Sequence, residues 1–138
     1  MKPVSQTVFG NDKGNCLAAC FASVLEIPIE KVPNYIGYEN WFEKFDNFVA
    51  EHGYRIFWYK MKKENEYEDI LGFTAKNCYL IACGKSPRGD FDHCVIYKNG
   101  EMAHDPHPSN GGIENVKDIM ILVKINPKSD QEQQNDSV

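Results

Sequence analysis

The stretch Gly14-Asn15-Cys16-Leu17-Ala18-Ala19-Cys20-Phe21-Ala22-Ser23-Val24-Leu25-Glu26 changes character at its third residue. A glycine and an asparagine give way to good helix formers, and Leu17, Phe21, Val24 and Leu25 recur at helical spacing, so a helix with a core-facing side is expected from about Asn15 to Glu26, ahead of Pro28. Cys16 then lies on the first turn, where unpaired N–H groups and the positive end of the helix dipole favour thiolate, the reactive form of cysteine. Cys20, one turn on, reads as a small buried residue.

Two later segments supply partners. Asp92-His93-Cys94-Val95-Ile96-Tyr97 reads as a strand that opens with a histidine, and Glu101-Met102-Ala103-His104-Asp105-Pro106 as one that ends in an aspartate. Asn99-Gly100 between them is a strong hairpin signal. The register decides the chemistry. A two-residue turn puts His93 opposite Pro106 and sends Asp105 to the other face, opposite Cys94. A three-residue loop, Lys98-Asn99-Gly100, puts His93 opposite Asp105 on one face. A catalytic reading therefore predicts the three-residue loop. Cysteine, histidine and acid are then a nucleophile, a base and the group that orients the base. Gln6, upstream of Cys16, is the candidate side-chain donor for an oxyanion.

Elsewhere, Glu39 to Glu51 carries Trp41, Phe42, Phe45, Phe48 and Val49 on one stripe, an amphipathic helix closed by Gly53. Strands are expected at Tyr54–Met61, at Cys78–Cys83 (buried on both faces) and at Ile119–Ile125. Residues 4–9 read as a short strand or extended arm, Glu66 to Leu71 as one or two helical turns, and Ser109-Asn110-Gly111-Gly112 as a plain surface loop. Helices come first and strands second, which predicts an α+β domain over residues 1–126 with an antiparallel sheet. Residues 127–138 are polar and read as a disordered tail.

The chain has 138 residues, room for one cored domain, and a net charge of −5 that argues against a nucleic-acid or anionic-membrane binder. The N-terminal residues lack a signal-type apolar region and no segment has transmembrane length, which predicts cytoplasmic residence without membrane association. The five cysteines cannot all pair. Neither Cys16/Cys20 nor Cys78/Cys83 has zinc-knuckle spacing, so neither metal nor cofactor is expected. His104 is expected to face away from the site.

Gln6, then Gly14-Asn15-Cys16-Leu17-Ala18-Ala19-Cys20, then His93 opening a strand, then Asp105-Pro106 together resemble the papain-like cysteine peptidase superfamily. Within it they are most similar to the small bacterial domains that process bacteriocin leader peptides. The likeness spans residues 5–110, with Gly10-Asn11-Asp12-Lys13 lengthening the usual gap and Asn15 standing in a different local motif. It implies a papain-like fold in which an N-terminal helix bearing the nucleophile packs on the sheet. It further implies Cys16 as nucleophile, His93 as base, Asp105 as orienter and Gln6 as oxyanion donor. Asn15 and His107, beside this set, are the expected substrate contacts. The expected activity is a cysteine hydrolase or acyl transferase acting on a peptide, isopeptide or side-chain amide of a peptide or protein substrate. The competing expectation is a catalytically silent papain-like module that holds a peptide or protein in its groove.

Overall fold

A computed structural model describes residues 1–10, 13–63, 66–67 and 76–125. The tail 127–138 and most of the helical turn expected at Glu66–Leu71 lie outside the described residues. Helix α1 spans Cys16–Leu25 and α2 Trp41–Ala50, with a single 3-10 turn at Ile29–Lys31 between them. The strands are β1 Tyr54–Lys60, β2 Tyr79–Lys85, β3 Asp92–Lys98, β4 Glu101–His104 and β5 Asp118–Lys124. They form one antiparallel sheet in the order β1-β5-β2-β3-β4. The described residues are thus α+β, with helices α1 and α2 on a five-stranded antiparallel sheet. The helices expected at Asn15–Glu26 and Glu39–Glu51 and the five strands expected from Tyr54 onward are found, most with ends displaced by a residue or two. The segment 4–9 is an arm with no strand pairing.

The helices cover one face of the sheet. Leu17, Cys20, Phe21, Phe45, Phe48 and Val49 pack there on Ile81, Cys83, Cys94, Ile96 and Met120. Strand alternation sends Leu80, Ala82, Val95 and Ile119 to the other face, into a smaller cluster. β2 sits between β5 and β3 and is buried on both sides, as its unbroken apolar run demands. Phe45 is the hinge of the helical layer. It is fully buried, with Phe21 of α1 at 5.0 Å and Tyr35 at 5.2 Å between ring centroids. Phe45→Ala leaves a ring-sized void, and a stability loss of about 3–5 kcal/mol is expected in urea unfolding.

The β3–β4 hairpin corrects the expected loop. Lys98 pairs with Glu101 and Tyr97 with Met102, so the turn is the two-residue one, with Asn99 and Gly100 at φ 53° and 83°. Both angles are left-handed, as a type I′ turn requires. The ladder then slips, because Ile96 pairs with His104 rather than Ala103. One extra residue on β4 reverses the alternation beyond it. Asp105 therefore lies on the His93 and Val95 side, which the two-residue turn alone forbids. The bulge, not the loop, supplies the parity that the sequence reading demanded of a longer turn.

Candidate active site

His93 and Asp105 form the fixed part of the site. The His93 Nε2 lies 2.7 Å from Asp105 Oδ1, and both side chains are buried. The carboxylate also accepts the His107 N–H at 2.9 Å and the Gly112 N–H at 2.8 Å. Ser109–Gly112 is thus no plain surface loop, since its last residue is buried and closes back on the acid at φ 71°. Burial pulls the Asp105 pKa upward, but the hydrogen bonds from His93, His107 and Gly112 outweigh it and hold the carboxyl below its usual range.

Cys16 completes the set. It lines the same cleft as His93 and Cys94, and both act on its pKa; with Nε2 committed to Asp105, Nδ1 is the ring nitrogen left for the thiol. Side chains of consecutive strand residues point to opposite faces, so one sulfur can approach both only from the strand's edge. That edge is open, because the β3–β4 ladder ends at Ile96↔His104 and leaves Asp92–Val95 without a β4 partner.

The electrostatics depart from the helix-start expectation. The hydrogen bond to Cys94, followed by burial, pushes the Cys16 thiol well above its ordinary value, and His93 opposes this without reversing it. Burial disfavours the charged His93 ring, yet its hydrogen bonds to Asp105 and Cys16 prevail and raise it to about 9. Both shifts favour keeping a proton on the pair, and the attacking thiolate arises when the pair sheds one proton. Because the folded pKa of His93 lies above its ordinary value of 6.5, the ring's contribution to stability is complete below 6.5 and is lost as pH rises through about 9. Asp105, depressed, contributes above the normal carboxyl range and loses its share in acid. The melting temperature is expected to fall between pH 6.5 and 9, by a margin on the order of 2 kcal/mol of stability, and His93→Gln should flatten that fall in calorimetric scans.

The arm 2–8 is held against this site by backbone and side-chain bonds. The Gln6 N–H donates to Pro106 O at 3.0 Å, and His104 Nε2 donates to Val4 O at 2.7 Å. His104 is therefore spent on the arm. Asn15, expected as a substrate contact, turns its side chain to the arm. Its side chain is buried, with Oδ1 accepting the Thr7 and Val8 N–H groups at 2.9 Å and Nδ2 donating to Thr7 Oγ1. These bonds anchor the arm to the start of α1 and bring Gln6 into the cleft wall. Gln6 Nε2 places one hydrogen on Val8 O at 3.0 Å and keeps a second, while the buried Oε1 has no partner.

Cys16, His93, Gln6 and His107 line one cleft of about 430 Å³. His107 stands edge-on to Phe9 and to His93, with centroids at 5.3 and 6.2 Å. Burial and the nearby Arg88 charge lower its pKa. Phe9, Arg88 and Phe91 also face the cleft, and nothing in their spacing marks them in the sequence. Cys94 was equally hidden there, as one more residue of an apolar strand. Among the described residues, no three histidine, cysteine or acidic side chains are arranged to hold a metal ion, and no helix is long and apolar enough to cross a membrane. No protein-family model, curated protein or solved structure matches the chain.

Proposed function

We propose that the protein is a cysteine-dependent hydrolase or acyl transferase of papain-like type, acting on an amide or isopeptide carbonyl of a peptide or protein. The observation that carries this reading is the buried His93–Asp105 pair, its acid held by three hydrogen bonds, with His93 and Cys16 lining one open cleft.

In the proposed cycle the Cys16 thiolate attacks the carbonyl carbon. The negative oxygen is met by the Cys16 N–H on the first turn of α1 and by the spare hydrogen of Gln6 Nε2. His93 as imidazolium then protonates the leaving amine, and Asp105 keeps its ring in place and stabilises its charge. Water or an amine next attacks the acyl-enzyme with His93 as base, giving hydrolysis or transamidation.

A fluorescent iodoacetamide and the activated ester p-nitrophenyl acetate test this directly. Expected are a burst of p-nitrophenolate and an acetyl adduct mapped to Cys16. Equal labelling of Cys16→Ala, or faster labelling of Cys78, would sink it. Gln6→Ala is expected to lower ester turnover by about 10²–10³-fold with the acetyl adduct still on Cys16.

The silent binding module is the second reading, and the upward shift of the Cys16 thiol by Cys94 and burial favours it. It predicts that no acyl adduct forms and that partner capture survives Cys16→Ala.

A further inference from the structure

Four of the five cysteines converge where α1 meets the sheet. Cys83 and Cys94 are direct partners across β2 and β3, with their sulfurs 2.7 Å apart and both thiols free. Cys94 also lines the cleft together with Cys16, and the two thiols act on each other's pKa. Cys20 packs in the same cluster. Cys16, Cys94 and Cys83 thus run from the cleft into the core. Acyl transfer uses only the first of them.

We propose that this line is a thiol relay that reduces a hydroperoxide at Cys16 and stores the oxidation as a Cys83–Cys94 disulfide. In the first step Cys16 thiolate attacks one oxygen of hydrogen peroxide, giving Cys16 sulfenic acid and hydroxide. The Cys94 thiol then displaces the sulfenic oxygen as water, forming a Cys16–Cys94 disulfide. Cys83 next attacks the Cys94 sulfur, Cys16 leaves as thiolate, and the Cys83 proton passes to it. The balance is one hydroperoxide and two thiols consumed, one disulfide and two waters formed. Cys16 emerges reduced.

The last transfer ends on sulfurs 2.7 Å apart, Cys16 and Cys94 line one cleft, and a small peroxide reaches Cys16 through it. The disulfide also removes the free Cys94 thiol from the cleft lining, so the oxidised protein presents its nucleophile in altered surroundings. The relay needs only the thiol cluster and stands whether or not Cys16 acts on acyl groups.

The test treats the full chain with one equivalent of hydrogen peroxide, alkylates it under denaturing conditions and maps linked peptides without reduction. Lys85 and Arg88 lie between Cys83 and Cys94, and Lys31 lies between Cys16 and both. Trypsin therefore separates all three, and fragment ions distinguish Cys16 from Cys20. The relay predicts a Cys83–Cys94 linked peptide short of two hydrogens, with Cys16 still alkylated. Cys83→Ser is expected to stop at the Cys16–Cys94 disulfide, losing Cys16 alkylation until dithiothreitol restores it. Cys94→Ser is expected to leave Cys16 as sulfenic or sulfinic acid with Cys83 untouched. The proposal is overturned if the unsubstituted protein carries oxidised Cys16 while Cys83 and Cys94 remain alkylatable. That result needs no variant to fold.

Discussion

Cys16→Ala is expected to abolish the acetyl adduct and to cut p-nitrophenyl acetate turnover by on the order of 10⁴-fold or more, to the level of the imidazole and oxyanion donors alone. Fold and stability should change little by comparison. Cys16 is half-buried at the cleft wall, whereas Leu17, Ala18, Ala19 and Cys20 carry the packing of that turn. Thermal unfolding is therefore expected to stay near that of the parent while acyl chemistry disappears. A loss of activity accompanied by loss of the cooperative transition would instead mark Cys16 as a packing residue. Calorimetry and ester kinetics on the same preparation separate the two.

Asp105 has the larger expected effect on stability. Its carboxylate is buried and holds the His93 ring, the His107 N–H and the Gly112 N–H together. Asp105→Ala strands a buried imidazole and two backbone donors, at an expected cost of about 3–5 kcal/mol. For a chain of this length that is a fall in melting temperature of roughly 10–20 °C. Asp105→Asn keeps the shape but supplies no charge to oppose the imidazolium, and its amide can turn a donor toward a donor. It is expected to fold and to lose turnover by about 10⁴-fold. The contrast matters, because the alanine result alone mixes collapse of the site with loss of its chemistry. An asparagine variant that turns over at the parental rate would remove Asp105 from the mechanism.

The oxidation relay and the acyl chemistry place different demands on Cys94. Cys94 lines the cleft with Cys16 and lies 2.7 Å from Cys83, sulfur to sulfur. Under the proposed relay, drawing Cys94 into a bond with Cys83 changes the surroundings of Cys16, so peroxide treatment is expected to alter acyl reactivity through one side chain.

Much of this was legible in the amino-acid order. The helix at Cys16 follows from a run of helix formers behind Gly14-Asn15, and the aromatic stripe from Trp41 to Val49 set α2 because its period is that of a helix. Asn99-Gly100 marked the hairpin, since both residues accept left-handed φ. The arm offered less: Gln6 was visible as a donor, but the bonds that turn Asn15 into its anchor were not, because they join residues seven and eight positions apart through side chains without a repeating pattern. The turn at Gly112 was missed for a similar reason, since a glycine pair signals a loop without saying which carboxylate it returns to.

Local order therefore determined which segments are helix, strand and turn, because those choices rest on periodicity and on the φ preferences of neighbouring residues. Only the tertiary structure decided the parity of His93 and Asp105, through one extra residue on β4 between Met102 and His104. It alone also set Cys83 against Cys94 and brought Cys16 to the same cleft, since strand order and the open edge of β3 depend on packing across the whole sheet. The residue types at the site are a property of the sequence; bringing Cys16 to His93, 77 positions along the chain, is a property of the tertiary packing, where no short-range pattern reaches.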